Sequence, residues 1–212
     1  VKTQSFVETR ETEAPFRNVE QACEELDALL KHAVSEGLVA DVPLGIWLSG
    51  GLDSSSILYY ASQTSQSRLK TFSVTFQGRS FDEKSHAREV SEFFGTQHSE
   101  VDLNPGVDLA SAIQDIAYYS DEPGADAGAL PLWFLSKLTK KEVTVALSGE
   151  GADELFGGYL TYQADRLHRS AVLLPLLIRK MALACALRMP VSDEKIPLEY
   201  KVKRFLQGTL LS

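Results

Sequence analysis

Leu44-Gly45-Ile46-Trp47-Leu48-Ser49-Gly50-Gly51-Leu52-Asp53-Ser54-Ser55-Ser56 is the stretch that decides the fold. Leu44 to Leu48 is a short apolar run of strand length. Ser-Gly-Gly breaks it, and a helix follows from about Ser54. A second strand, Val143 to Leu147, ends the same way, in Ser148-Gly149. Between the two, Lys70 to Phe76 is rich in β-branched and aromatic residues and reads as a strand, as does His98 to Leu103.

Helices fill the gaps. One starts at Asn18, which can cap it, and carries Ala22, Leu26, Leu29, Leu30, Ala33 and Val34 at helical spacing up to a stop at Gly37. Others are expected over about 82–94, with Asp82 and Glu83 as caps, over 107–119, and from the end of an acidic loop (120–128) to about Lys141. Strands of about five residues alternating with helices of ten or more imply right-handed crossovers. The fold class is therefore α/β, a doubly wound parallel sheet, with a helical C-terminal extension beyond Tyr159. Such sheets bind ligands at the carboxyl ends of their strands, where the strand order reverses. The two Ser-Gly strand ends are the place to look.

The composition suits a soluble globular domain: 212 residues, 44% hydrophobic, 24% charged. A formal charge of −8 argues against a protein that coats nucleic acid or lies on a membrane, both of which need a basic excess. Cys23 and Cys185 are too few for a disulfide framework or a zinc site; buried free thiols and a reducing cytoplasm are expected. The most apolar stretch, Ala171 to Met189, is interrupted by Pro175, Arg179 and Lys180 and falls short of a membrane span. Residues 1–17 read as a polar lead-in and 18–212 as the domain.

The first loop has the parts of a phosphate cradle. Gly50 and Gly51 admit close backbone approach, the hydroxyls of Ser49, Ser54 and Ser55 can donate, and the following helix points free N–H groups at the site. Asp53 makes sense beside a polyphosphate as a Mg²⁺ ligand. No lysine of the G-x-x-x-x-G-K-[ST] type is present to draw charge onto a γ-phosphate. Attack at the α-phosphate with pyrophosphate as leaving group fits better. The plainer alternative is a tight turn in which Asp53 or Ser54 only caps a helix. The strand before, the helix after and the Asp-Ser-Ser spacing weigh against it.

The second loop, Ser148-Gly149-Glu150-Gly151-Ala152-Asp153-Glu154-Leu155-Phe156-Gly157-Gly158-Tyr159, starts like a dinucleotide fingerprint, but Glu154 stands where its third glycine belongs. Three carboxylates in five residues would repel unless a cation sits among them. Helix-dipole stabilisation accounts for Glu154 more readily than for Glu150 or Asp153. No G-x-S-x-G occurs, and His32, His86, His98 and His168 show no metal-ligand spacing.

Ser49-Gly50-Gly51-Leu52-Asp53-Ser54-Ser55 resembles the pyrophosphate motif of N-type ATP pyrophosphatases, whose folds are of the adenine-nucleotide α-hydrolase kind. Asp41-Val42-Pro43-Leu44-Gly45 and the second loop narrow the resemblance to the synthetase domain of glutamine-hydrolysing asparagine synthetases and its relative β-lactam synthetase. It runs from about residue 18 to Tyr162, with Lys201 to Gly208 also similar. The resemblance implies that Ser49, Gly50, Gly51, Asp53, Ser54 and Ser55 hold pyrophosphate. It implies that Leu48, Val74, Ser148 and Gly149 contact the adenosine part of ATP, and that Asp53 and Asp153 ligate Mg²⁺. Glu150 stands at the position tied to acyl-adenylate formation, where β-lactam synthetases carry tyrosine, so the amide-forming branch is favoured.

The implied reaction activates a carboxylate, the side chain of aspartate, as acyl-AMP, and ammonia then gives the amide. Asp121 and Glu122 resemble an acidic loop that binds the substrate's ammonium group; a solvated loop is the competing reading. The implied partners are the amino acid, ATP, ammonia from glutamine and a glutaminase domain. The resemblance leaves a homodimer open. Nothing here matches that N-terminal glutaminase domain, and the family's lysine beyond the second loop falls past Ser212. The chain therefore reads as a fragment cut at both ends. Two alternatives remain: an amidotransferase acting on another acceptor, and a piece that binds MgATP without catalysis.

Overall fold

The computed structural model describes residues 18–76, 84–103, 108–122, 124, 126, 128–190 and 197–211. Asp82 and Glu83 lie outside them. The strands are β1 (Leu44–Trp47), β2 (Lys70–Thr75), β3 (Gln97–Asp102) and β4 (Val145–Leu147). They form one parallel sheet in the order β3-β2-β1-β4. The chain thus winds outward through β1, β2 and β3 and then returns to the other side of β1. The order reverses between β1 and β4, which pair at Leu44↔Val145, Gly45↔Ala146 and Ile46↔Leu147.

Helices α1 (Val19–Gly37), α2 (Leu52–Thr64), α3 (Lys84–Phe93), α4 (Leu109–Tyr119) and α5 (Ala129–Thr139) surround the sheet. The core gathers Val34, Ile46, Leu48, Leu58, Tyr60, Ala61 and Ala87 between α1, α2, α3 and β1. Helix α1 starts as expected, with Asn18 Oδ1 accepting from Gln21 N at 2.8 Å. Only part of its apolar stripe reaches the core. Val34 is buried, Leu30 packs against the core, and Leu29 is 63% exposed. Gly37 is the last helical residue rather than a left-handed stop. A Cβ on it would lie 3.2 Å from Leu147 Cδ2, so its role is close packing of α1 on β4.

Both cysteines are exposed free thiols, contrary to the expectation of burial. Cys23 lies off the packed stripe of α1, and α8 leaves most of its surface in solvent. His98 is a packing residue: Nδ1 lies 2.8 Å from Thr71 Oγ1 and Nε2 3.1 Å from Ser73 Oγ. Burial pushes its pKa down. Arg88 closes this polar layer with a bidentate pair to Glu100, both contacts 2.7 Å, which holds the Glu100 carboxyl below its usual pKa.

Beyond β4 come α6 (Ala152–Phe156), α7 (Leu160–Ala171), α8 (Leu176–Ala186) and α9 (Leu198–Gly208). Arg179 of α8 donates to the carbonyl of Thr209, tying the last two helices together. Among the described residues no helix is long and apolar enough to cross a membrane.

Candidate nucleotide site at the strand-order switch

Adjacent parallel strands that end together bring their following loops together. Leu48 N extends the ladder to Phe72 O at 2.8 Å before the first loop leaves the sheet. Gly50 then takes φ +81°, a conformation that L side chains rarely adopt. A Cβ there would also fall 2.5 Å from the Ala87 nitrogen, so α3 packs directly on this turn.

Serine hydroxyls close the loop on itself. Ser54 Oγ accepts from Ser49 N at 3.2 Å, lies 3.0 Å from Ser49 Oγ and can donate to Gly51 O at 3.3 Å. Gly51 N donates to Ser49 Oγ at 3.1 Å. The N-cap of α2 is Gly51, with no side-chain cap bond, so neither Asp53 nor Ser54 serves as a helix cap.

The second loop approaches from β4. A Cβ on Gly149 would lie 3.0 Å from Ser54 N and 3.1 Å from Asp53 Cβ, so the two loops touch backbone to backbone at this glycine. Glu150 N donates to Ser148 Oγ at 3.2 Å. Gly151 and Gly157, both with positive φ, bound the short α6. Gly158 N donates back to Asp153 O at 3.0 Å. Tyr159 Oη donates to Glu154 Oε1 at 2.6 Å. That bond lowers the Glu154 pKa and pushes the Tyr159 phenol up to about 12.

Between the loops lies a cavity of about 370 Å³. Of the residues singled out in the sequence, Leu48, Ser49, Asp53, Ser54, Val74, Ser148, Gly149, Glu150 and Asp153 line it. Gly50 and Gly51 shape the first loop without lining the cavity. Ser55 is elsewhere: it lines an apolar groove between α2 and α3 with Tyr59 and Phe93, and its Oγ is buried without a partner. Asp121 and Glu122 follow the end of α4, exposed and outside the cavity lining. Of the same acidic loop, Asp126 Oδ1 accepts from Gly128 N at 2.8 Å.

Two parts of the wall had no signal in the sequence. Pro131, Leu132 and Leu135 of α5 face Phe72 and Phe76 across the cavity, with α5 held to β1 by Trp47 Nε1 donating to Thr139 Oγ1 at 2.9 Å. The Glu154–Tyr159 pair was the other. A five-residue spacing across a Gly-Gly turn has no periodicity to betray it.

Four carboxylates, of Asp53, Glu150, Asp153 and Glu154, thus line one cavity. Among the described residues no three His, Cys, Asp or Glu side chains converge to hold a metal unaided. Magnesium does not require that, since it is held by one or two carboxylates together with waters and phosphate oxygens. Asp53 and Asp153 on facing loops fit that donor set.

The family model described as asparagine synthase matches residues 25–209. Asparagine synthetase [glutamine-hydrolyzing] 1 of Bacillus subtilis is 41% identical over 158 residues, 74% of this chain and 25% of its own length. A putative asparagine synthetase [glutamine-hydrolyzing] 2 of Methanocaldococcus jannaschii is 38% identical over 70% of this chain and 28% of its own. The chain therefore spans about a quarter of the length of these relatives. The solved NH3-dependent NAD synthetase of Campylobacter jejuni is a looser likeness, with 12% identity and a TM-score of 0.44 over 64% of this chain and 60% of that one.

Proposed function

The chain belongs to the asparagine synthase family, and from that premise we propose that it carries the MgATP site of an amide-forming, AMP-releasing ligase. The observation that carries the reading is the contact of the two strand-end loops at Gly149, which sets four carboxylates around one cavity at the strand-order switch. The apolar wall of Leu48, Phe72, Val74, Leu132 and Leu135 suits a purine and its ribose. Ser49, Gly50, Gly51 and Ser54 receive the pyrophosphate, whose oxygens replace the loop's internal serine bonds. Asp53 and Asp153 would hold Mg²⁺, which supplies neutralising charge for the polyphosphate.

The acceptor, taken as the side-chain carboxylate of aspartate, attacks the α-phosphorus. The bond to the bridging oxygen of pyrophosphate breaks, leaving acyl-AMP. Ammonia, supplied from glutamine by a glutaminase domain, adds at the acyl carbon. The C–O bond to AMP then breaks and a proton is released. Glu150 stands beside the acceptor in the first step. Alignment and charge neutralisation do most of the work.

Two measurements test the reading. Millimolar MgATP is expected to raise the melting temperature by several degrees, because a ligand at a hundred times its Kd adds about 2.7 kcal/mol. Asp53→Ala is expected to remove that rise. Carboxylate-dependent exchange of labelled pyrophosphate into ATP tests the chemistry. An unchanged melting temperature counts against the whole reading. A rise without exchange favours the second reading, a nucleotide-binding piece that does not catalyse alone, which gains support from the chain's spanning only a quarter of its relatives.

A further inference from the structure

Resting on the proposed function, we infer that Trp47 is the positioning residue of the nucleoside end of the cavity: its indole N–H pins α5 to the sheet and so sets the slot in which the base lies. The sequence of β1 aims the ring. Ile46 and Leu48 enter the core under α1, α2 and α3, so Trp47 between them points to the opposite face, the one α5 covers. Its register partner, Phe72 of β2, is fully buried and leans over Gly45, where a Cβ would fall 2.6 Å from Phe72 Cε2. The cavity end of that face is left to Trp47, which is part of the cavity wall.

The strut is a hydrogen bond in two steps. Trp47 Nε1 donates to Thr139 Oγ1 at 2.9 Å, and that hydroxyl donates to Leu135 O at 2.7 Å. Thr139 is 5% exposed, so the bond is shielded from competing water. Among the described residues no other side-chain hydrogen bond joins α5 to the sheet. Thr139 closes the helix, and Leu135, Leu132 and Pro131, one and two turns before it, carry the apolar wall. Such side chains hold a base by shape and give it no hydrogen bond, so the spacing between α5 and the strands decides the fit. Fixing that spacing in advance spares the nucleoside the cost of ordering its own pocket. The phosphate loop lies beyond the strut, so the effect of Trp47 is confined to the nucleoside.

The test measures by calorimetry the Kd of MgATP and of magnesium tripolyphosphate, a triphosphate without the nucleoside, on the purified protein. The wild type is expected to bind MgATP the more tightly. Thr139→Val is expected to weaken MgATP about threefold to tenfold, the worth of one net hydrogen bond, and to leave tripolyphosphate unchanged. Thr139→Ser, which keeps the hydroxyl, is expected to restore the wild-type values. Thr139→Val also orphans a shielded N–H and lowers stability. Trp47→Phe removes the donor together with its need for a partner, and is expected to show the same selective loss where Thr139→Val does not fold. A merely structural role would weaken both ligands together. Equal weakening of the two ligands, wild-type MgATP affinity in the variants, or a wild type that binds tripolyphosphate as tightly as MgATP overturns this assignment while the phosphate site stands. A wild type that binds neither ligand overturns the proposed function as well.

Discussion

The two loops that meet at the switch start from the same dipeptide and solve different problems. The β1 loop is closed: Ser49 and Ser54 satisfy each other and the Gly51 backbone, and α3 sits on Gly50. The β4 loop is open. It places Glu150, Asp153 and Glu154 around the cavity, and its ties include the Glu150 bond to Ser148 and the return bonds from Gly158 and Tyr159. Phosphate recognition needs a rigid backbone, and the first loop gets it from its own serine bonds and from the buried Ser54 against which it turns. Handling a cation and an acceptor needs charge at the cavity, and the second loop supplies three of its four carboxylates. Changes to the first loop's glycine turn and serine bonds should act on folding, whereas changes in the second loop, and at Asp53, which lines the cavity, should act on ligands.

The largest expected effect breaks the first loop. Gly50→Ala forces a left-handed conformation and drives a Cβ into α3, a loss of about 2–4 kcal/mol. At roughly 2–4 °C per kcal/mol for a chain of this size, the melting temperature should fall by some ten degrees, with or without nucleotide. Gly149→Ala probes where the loops touch. Its φ is not in the left-handed region, but the added methyl meets Ser54 N and Asp53 at 3.0–3.2 Å, tighter than ordinary contact. A stability loss of about 1–3 kcal/mol is expected, together with loss of most of the MgATP-induced rise. If Gly149→Ala binds MgATP normally, the contact between loops is not what makes the site.

The serines give a smaller, sharper contrast. Ser54→Ala removes the hydroxyl that accepts from Ser49 N inside the closed loop and should lower stability by about 1–2 kcal/mol in denaturant titration. Ser148→Ala removes one exposed bond to Glu150 N and should change it by about 0.5 kcal/mol or less. Equal losses would erase the distinction between closed and open loops.

Acidification gives the smallest expected effect, and it acts away from both loops. Glu100 has a lowered pKa because Arg88 pairs with its charged form. The stability it contributes is present above the unfolded carboxylate pKa and is lost as pH falls through the folded one. His98 also has a lowered pKa, from burial; it stays neutral in the fold and takes up a proton on unfolding below its ordinary pKa. Both act in the same direction. The melting temperature should decline as pH drops from 7 toward 4, and Arg88→Ala should flatten the lower part of that decline.

How far the sequence reached can be traced residue by residue. Leu44 to Leu48 and Val143 to Leu147 announced themselves as strands because their apolar runs are local, and β1 and β4 fall inside them; the Ser-Gly breaks after them are local too. The resemblance carried by the two loops named the residues that now line one cavity, with Ser55 as an instructive departure. It sits in the right motif, but the turn of α2 that aims Ser54 inward aims Ser55 toward α3, and a helix turns about 100° per residue. The exposed thiols and the half-used stripe of α1 escaped prediction because periodicity shows which face is apolar and not how far a neighbour covers it.

The sequence by itself determined the alternation of strands and helices, the two glycine-bearing strand ends and the family. Each depends on neighbours within a few positions along the chain. Only the tertiary structure decided that β4 pairs with β1 across about a hundred residues, that Gly149 backs onto Asp53, and that α5 closes the apolar wall. It also decided that Tyr159 holds Glu154 at the cavity. These follow from sheet pairing and side-chain packing, which are non-local and leave no period in the sequence to read.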